Sequence, residues 1–180
     1  ENLASFAAQR YPRFEIVFGV ADPRDPARDV VERVRQAFPD TEIRVSTHAP
    51  DLGRNPKVSN LAALSRLARH PCWLISDSNT RVHPDYLADL VAEFRDPRVG
   101  LVTSVLAGVR ERGLGALLEN LHLNSFVASA VCAAQIARTP IVIGKSMLFR
   151  SRDLRAVGGF ESVRDVLAED HALGLRFRAA

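Results

Sequence analysis

Three acidic signals occur in a fixed order along this chain, each at the end of an apolar run. Asp22 follows the run from Phe14 to Ala21. Asp77 follows Cys72-Trp73-Leu74-Ile75-Ser76 and opens Asp77-Ser78-Asn79. Glu169-Asp170 follows Val166-Leu167-Ala168 and precedes His171. Apolar runs rich in Val, Ile and Phe predict buried strands. In an open α/β sheet, ligands bind just beyond the carboxyl ends of the strands. Two carboxylates leaving two such strands therefore share one crevice. That arrangement suits a metal-bound diphosphate served by a separate catalytic base.

The elements that must position these residues alternate. Residues 14–20 predict a strand, and Asp25-Pro26 supplies an N-cap and a proline for the first helical position. That helix is expected to run to about Phe38, with Val30, Val31 and Val34 on one face. Residues 42–47 read as a second strand, and Asp51 to Pro56 as a loop by its Gly, Asn and Pro content. Residues 58–69 are spaced for a helix with Leu61, Leu64, Leu67 and Ala68 on one face. A strand at 72–76 follows, then a helix from Pro84 to about Arg95 and a strand at 99–106. Residues 113–138 read mostly as helix and 141–150 as strand. Ser151 caps a short helix that stops at Gly158-Gly159, and the Asp170 segment starts the last helix. Such alternation predicts one α/β domain over residues 1–180, with a largely parallel sheet flanked by helices. No internal repeat, low-complexity tract or second domain is visible.

Composition narrows the partners. A chain of 180 residues, 47% hydrophobic and 25% charged, has the size and make-up of a globular domain with a real core. Its net charge of +3 suits an anionic ligand or an anionic membrane surface. It is too weak to argue for nucleic acid, and there is no basic tract. Lys57 and Lys145 are the only lysines. Cys72 and Cys132 lie far apart in apolar runs and read as reduced core residues, not as a disulfide framework or a zinc site. The chain begins at Glu1 and ends at Ala180 within a helical pattern, so it is expected to be a piece of a longer protein, truncated at both ends. The uncharged run from Asn120 to Ala137 is interrupted by polar residues and falls short of the ~20 apolar residues of a spanning helix. No G-x-G-x-x-G follows the first strand, which disfavours a dinucleotide-binding dehydrogenase.

Several of these segments together carry a family resemblance. Val20-Ala21-Asp22-Pro23-Arg24-Asp25-Pro26-Ala27 resembles the first aspartate region of ceramide glucosyltransferases. Asn55-Pro56-Lys57-Val58-Ser59-Asn60-Leu61 is similar to their N-P-K-x-x-N-L loop. Ile75-Ser76-Asp77-Ser78-Asn79-Thr80-Arg81-Val82 resembles their second aspartate motif. Gly144-Lys145-Ser146-Met147-Leu148 and Leu167-Ala168-Glu169-Asp170 resemble their acceptor-side segment and third aspartate. Each motif is weak alone; in this order, from about Phe14 to the end, they are specific. The resemblance implies a GT-A nucleotide-sugar-binding fold with a mixed sheet, and an inverting transfer of a sugar from a UDP-sugar to a lipid. It also implies Mg²⁺ or Mn²⁺ as cofactor. Members are typically anchored to the membrane outside this domain, with the catalytic domain on the cytoplasmic side. A downstream Q/R-x-x-R-W motif of the family lies beyond this sequence.

The resemblance gives each residue a role, and ordinary chemistry offers each an alternative. Asp77 and Asn79 would hold the cation that neutralises the leaving diphosphate, with Ser78 beside them. Relatives often have an acid where Asn79 stands, so an oxygen ligand remains but a charge is lost. The alternative is a plain turn after a strand. Asp22 would contact the uracil or ribose; the alternative is a turn aspartate. Lys57 would approach the diphosphate as a point charge; the alternative is an exposed loop lysine. Gly144, Lys145, Ser146 and Glu169 would lie on the acceptor side. Asp170 would be the general base that takes the acceptor's proton; the alternative is an acid favoured by a helix N-terminus. His171 and His122 read as ordinary histidines.

The segment 113–138 carries Leu114, Leu117, Leu118, Leu121, Leu123, Phe126, Val127 and Val131. It is too apolar for a simple solvated helix. Either it faces a lipid acceptor or a membrane interface, or it is a core helix, the commoner use of such a pattern. The leading reading is glucose transfer from UDP-glucose to ceramide. The alternatives are a glycosyltransferase with another acceptor, such as a hopanoid lipid or a polysaccharide, and a non-catalytic nucleotide-sugar-binding module.

Overall fold

The computed structural model describes residues 1–20, 22–47, 50–109, 112–137, 139 and 141–180. Ala21, in the first apolar run, and Arg138, the expected end of the long helix, lie outside them. A short helix α1 (Asn2–Ala7), not expected from the pattern of the sequence, precedes β1 (Glu15–Gly19). Helix α2 (Ala27–Ala37) crosses to β2 (Glu42–Ser46), which pairs parallel with β1 from Glu15 opposite Glu42 to Gly19 opposite Ser46. This is the parallel strand–helix–strand unit that the alternation predicts. On α2, Val31 and Val34 are buried, while Val30 is turned toward solvent. Asp25 supports the start of α2 by accepting a hydrogen bond from the Ala27 N–H at 2.8 Å.

Helix α3 (Pro56–Leu67) leads to β3 (Cys72–Ile75), and α4 (Tyr86–Ala92) leads to β4 (Leu101–Thr103). A long excursion follows: α5 (Leu114–His122), a π-turn at Leu123–Val127 and α6 (Ala128–Ile136). The chain returns in β5 (Met147–Arg150), then α7 (Ser151–Ala156) and α8 (Glu169–Ala179). Gly158 and Gly159, with φ of 98° and 65°, stop α7 in a backbone region that favours glycine.

The α/β expectation, with helices flanking strands of mixed direction, holds, but the parallel share is smaller than expected. Strand β5 lies between β3 and β4 and is antiparallel to both. Strands β3 and β4 point the same way, since each is antiparallel to β5. The insertion of β5 between them follows from the long helical return, which strand–helix alternation does not encode. Among the described residues β1–β2 and β3–β5–β4 form two separate ladders.

The main core joins α3, β3, β5, α7 and α8 through Val58, Leu61, Ile75, Phe149, Leu154 and Leu173. Phe149 is fully buried, with Trp73 and Phe160 each edge-on to it at 6.4 Å between ring centroids. Burying a side chain of this size stabilises by roughly 1.5–3 kcal/mol. The core-helix reading of residues 113–138 is corrected: no residue of α5, the π-turn or α6 is buried. Leu114, Leu117, Leu118, Leu121, Phe126 and Ile136 are all exposed. Cys132 is exposed as well, and Cys72 is only partly buried; both are free thiols. No helix among the described residues is long and apolar enough to cross a membrane.

Candidate active site

The site grows from the cap of α3. Asn55 precedes Pro56, in the order favoured at a helix start, and its Oδ1 accepts from the backbone N–H groups of Lys57 at 3.0 Å and Val58 at 3.3 Å. The same side chain turns its Nδ2 to α8, donating to the Val166 carbonyl at 2.7 Å and to Glu169 Oε2 at 3.1 Å. One buried amide thus fixes the first turns of two helices that are distant in sequence.

Lys57, in the first turn of α3, reaches into the space between them. Its Nζ lies 2.9 Å from Glu169 Oε1, 3.7 Å from Asp77 Oδ1 and 3.5 Å from the Gly144 carbonyl oxygen. Burial works against the ammonium. The hydrogen bond from Lys57 to Glu169 and the fields of Glu169, Asp77 and Asp170 outweigh it and raise the lysine pKa above its ordinary value. The exposed-loop reading of Lys57 is therefore replaced by a bridging cation.

Asp170, at the start of α8, accepts from the Gly144 N–H through Oδ2 and from the His171 N–H through Oδ1, both at 2.8 Å. Each carboxylate oxygen keeps a lone pair for a proton. A Cβ on residue 144 would lie 2.7 Å from Asp170 Oδ2 and 3.1 Å from Lys57 Nζ, so only glycine lets the backbone approach both. The next residue, Lys145, points to the other side of the site. Its Nζ donates to Asn79 Oδ1 at 2.8 Å and lies 3.5 Å from Asp77 Oδ2. Ser76, just before Asp77, anchors this approach by donating to the Lys145 carbonyl at 2.9 Å.

The structure thus gathers Lys57, Asp77, Asn79, Gly144, Lys145, Glu169 and Asp170. Three residues depart from the expected placement. Glu169, expected on the acceptor side, is buried and gives its two oxygens to Lys57 and Asn55. Ser146 is fully buried and shares a hydrogen bond with the Tyr86 hydroxyl, which places it in the core and not on an acceptor-facing surface. Asp22 accepts from the Arg24 N–H at 2.8 Å in an exposed turn, away from the cluster. His122 is exposed and stacked on Phe126 at 5.3 Å.

A cleft of about 820 Å³ opens between β1 and β3, with Gly19, Lys57, Asn60, Asp77, Ser78 and Asn79 among the residues that line it. Its size falls in the range of small-molecule sites. Asn60, the second asparagine of the N-P-K-x-x-N-L resemblance, carried no role of its own; it packs so closely on Gly19 that a Cβ there would meet it at 2.4 Å. Asn55 was legible in principle, because asparagine before a proline at a helix start is an N-terminal signature. No local signal marks Tyr86.

Asp77 and Asn79 offer oxygen donors of the kind a divalent cation takes. Asp77 Oδ2 and Asn79 Oδ1 both face one positive charge, the Lys145 ammonium. Among the described residues there is no group of three His, Cys, Asp or Glu that would enclose a metal. A cation there would take its remaining ligands from phosphate and water, as Mg²⁺ commonly does.

With this geometry in place, the comparisons are consistent. The family model of glycosyl transferase family 21 matches residues 1–180. Ceramide glucosyltransferase 1 of Caenorhabditis elegans is 28% identical over 172 residues, 95% of this chain and 37% of that protein. Ceramide glucosyltransferase 3 of the same organism is 25% identical over 97% of this chain and 38% of its own length. The chain therefore spans well under half of these curated relatives. Among solved structures, the mannosyltransferase PcManGT from Pyrobaculum calidifontis, in complex with GDP-Man and Mn²⁺, superposes with a TM-score of 0.72 at 23% identity, over 98% of this chain and 46% of that one. S. aureus TarS 1-349 superposes with a TM-score of 0.63 at 19% identity, over 98% and 50%. These likenesses give the chain the GT-A glycosyltransferase fold. With its full length matched by the family model, the chain belongs to glycosyl transferase family 21.

Proposed function

We propose that this chain is the single catalytic domain of a larger, membrane-associated enzyme that transfers glucose from UDP-glucose to a hydroxyl of ceramide with inversion. The observation that carries the reading is the Lys57 bridge. It ties Asp77 to the Glu169-Asp170 segment, which supports a reading in which a cation-binding carboxylate and a catalytic base act in one site.

The residues divide the work. The acceptor hydroxyl gives its proton to Asp170 as its oxygen forms the bond to the sugar's anomeric carbon. The bond from that carbon to the diphosphate oxygen breaks, and the electron pair leaves with UDP. Gly144 holds the Asp170 carboxylate by its N–H. Asp77 and Asn79 would hold Mg²⁺ or Mn²⁺, and Lys57 faces the diphosphate with Ser78 in the lining of the cleft. Such a cation supplies charge neutralisation at the leaving diphosphate. Asp22 would reach the uracil or ribose from the loop after β1.

Ceramide as acceptor is supported by the relatives' names and by the exposed apolar surface of α5 and α6. A lipid acceptor is met at a membrane surface, and an exposed apolar helix suits that surface better than a soluble polymer. An unpaired, exposed Cys132 fits a reducing, cytoplasmic-side compartment.

The test uses membranes expressing the full-length protein, labelled UDP-glucose, ceramide and Mg²⁺ or Mn²⁺, with Asp170→Asn as control. Labelled glucosylceramide that disappears in the control, while UDP-glucose binding persists, supports the donor, the acceptor and the base together. Loss of donor binding in Asp170→Asn removes it as the base. No product from the wild type removes the glucose–ceramide pairing.

A further inference from the structure

Both lysines of the chain end on one carboxylate. Lys57 Nζ is 3.7 Å from Asp77 Oδ1, and Lys145 Nζ is 3.5 Å from Asp77 Oδ2. Lys145 also donates to Asn79 Oδ1 at 2.8 Å. The protein oxygens that would receive a divalent cation are thus already engaged by ammonium groups.

We propose that these lysines make cation binding conditional on the diphosphate: before the donor arrives, the Lys145 ammonium fills the cation position between Asp77 and Asn79, and the diphosphate draws it onto phosphate oxygens while the cation takes its place. The inference rests on the nucleotide-sugar reading above and deepens it, and it moves Lys145 from the acceptor side to the donor side.

The chemistry favours an exchange of this kind. An ammonium is a compact charge with three donors on a flexible stem. Lys145 is about two-fifths exposed, and among the described residues its side chain makes polar contacts with Asp77 and Asn79. It can swing without leaving a buried group unpaired. Lys57 is the more fixed of the two, because its closest partner is the buried Glu169. A free cation approaching Asp77 meets two ammonium groups and finds only one carboxylate and one amide oxygen. A diphosphate reverses both conditions. It offers anionic oxygens to the lysines and completes the oxygen shell of the metal.

The experiment is an electron paramagnetic resonance titration of Mn²⁺ into the full-length protein in detergent, with and without UDP, in the wild type and in Lys145→Met. In the wild type, UDP should tighten Mn²⁺ binding by about 10-fold or more, within the usual range of coupling between sites. Lys145→Met should tighten binding of Mn²⁺ alone by about 3- to 10-fold, the scale of removing one half-exposed charge near the site. The same change should weaken UDP in the presence of Mn²⁺, so the coupling shrinks. Equal affinity for Mn²⁺ alone in both proteins, or no detectable binding of it in Lys145→Met, overturns the exchange. Failure of the wild type to bind UDP at all with Mn²⁺ present overturns the nucleotide-sugar reading itself, and the exchange with it. Lys57→Met gives a second readout: it should shift Mn²⁺ affinity in the same direction, and a shift in the opposite direction counts against the proposal.

Discussion

Gly144 and Asp170 touch through one hydrogen bond of 2.8 Å, and the same carboxylate oxygen would lie 2.7 Å from any Cβ placed on residue 144. Glycine is therefore required here for closeness and not for backbone angle. Gly144→Ala should push the carboxylate aside while leaving Asp77 and Asn79 in place. The expected result is a fall in kcat of about 10- to 100-fold, the scale of a misplacement near 1 Å, with donor KM little changed. A steady-state comparison that finds kcat unaffected would show that Asp170 does not need this support.

Asn55 offers a test of the scaffold. Its side chain caps α3 and binds both the Val166 carbonyl and Glu169. Asn55→Ala removes a cap and leaves buried partners unpaired, which should lower stability by about 2–4 kcal/mol. Chemical denaturation reads this directly. A loss below about 0.5 kcal/mol, the size of an ordinary surface change, would mean the two helices are held by packing alone.

Lys57 gives stability a definite dependence on pH. Its pKa is raised in the folded protein above the ordinary 10.5, so its contribution is fully present below that value and is lost as pH rises through the folded pKa. Wild type and Lys57→Met should therefore differ by a constant amount from pH 7 to about 10, and the gap should close above that. A gap that closes near neutrality instead would contradict the Lys57–Glu169 pairing.

The exposed helix makes a prediction about membranes. Leu117, Leu121 and Phe126 are more than half exposed, so replacing all three by serine should leave the melting temperature nearly unchanged. Partitioning of the catalytic domain onto vesicles containing an anionic lipid should fall by about 10-fold or more, in line with the apolar area lost. Unchanged sedimentation with vesicles would show that this surface is covered by another part of the protein.

The fold class was legible in the alternation of apolar runs with helical spacing, and the ends of those runs also marked where Asp77 and Asp170 would stand. Asp77 and Asp170 were legible because each ends an apolar run or opens a helix, positions where a sheet fold exposes side chains to one crevice. The convergence of Lys57, Lys145 and Glu169 was not, since no periodicity links residues that meet only after folding. Residues 141–150 read as one strand, yet only Met147–Arg150 joins a ladder. The Gly144 N–H instead goes to Asp170, a side-chain partner that hydropathy does not reveal. Ser146 was misplaced for the same reason: Tyr86 satisfies its hydroxyl inside the core. The long apolar helix shows the limit most plainly, because the 3.6-residue spacing that packs a core also lines an exposed surface.

The two separate ladders also bear on how the chain opens. No strand-to-strand hydrogen bonds join β1 to β3 among the described residues; α3 connects them instead, packing on β1 and, through Val58 and Leu61, on the β3–β5 core. Amide exchange should then divide into two cooperative units. The β3–β5–β4 ladder, with fully buried Phe149, would be the slower one to exchange deuterium, and β1–β2 the faster. Ligand held in the cleft would slow the faster unit most, because it bridges an edge that the backbone leaves unstitched.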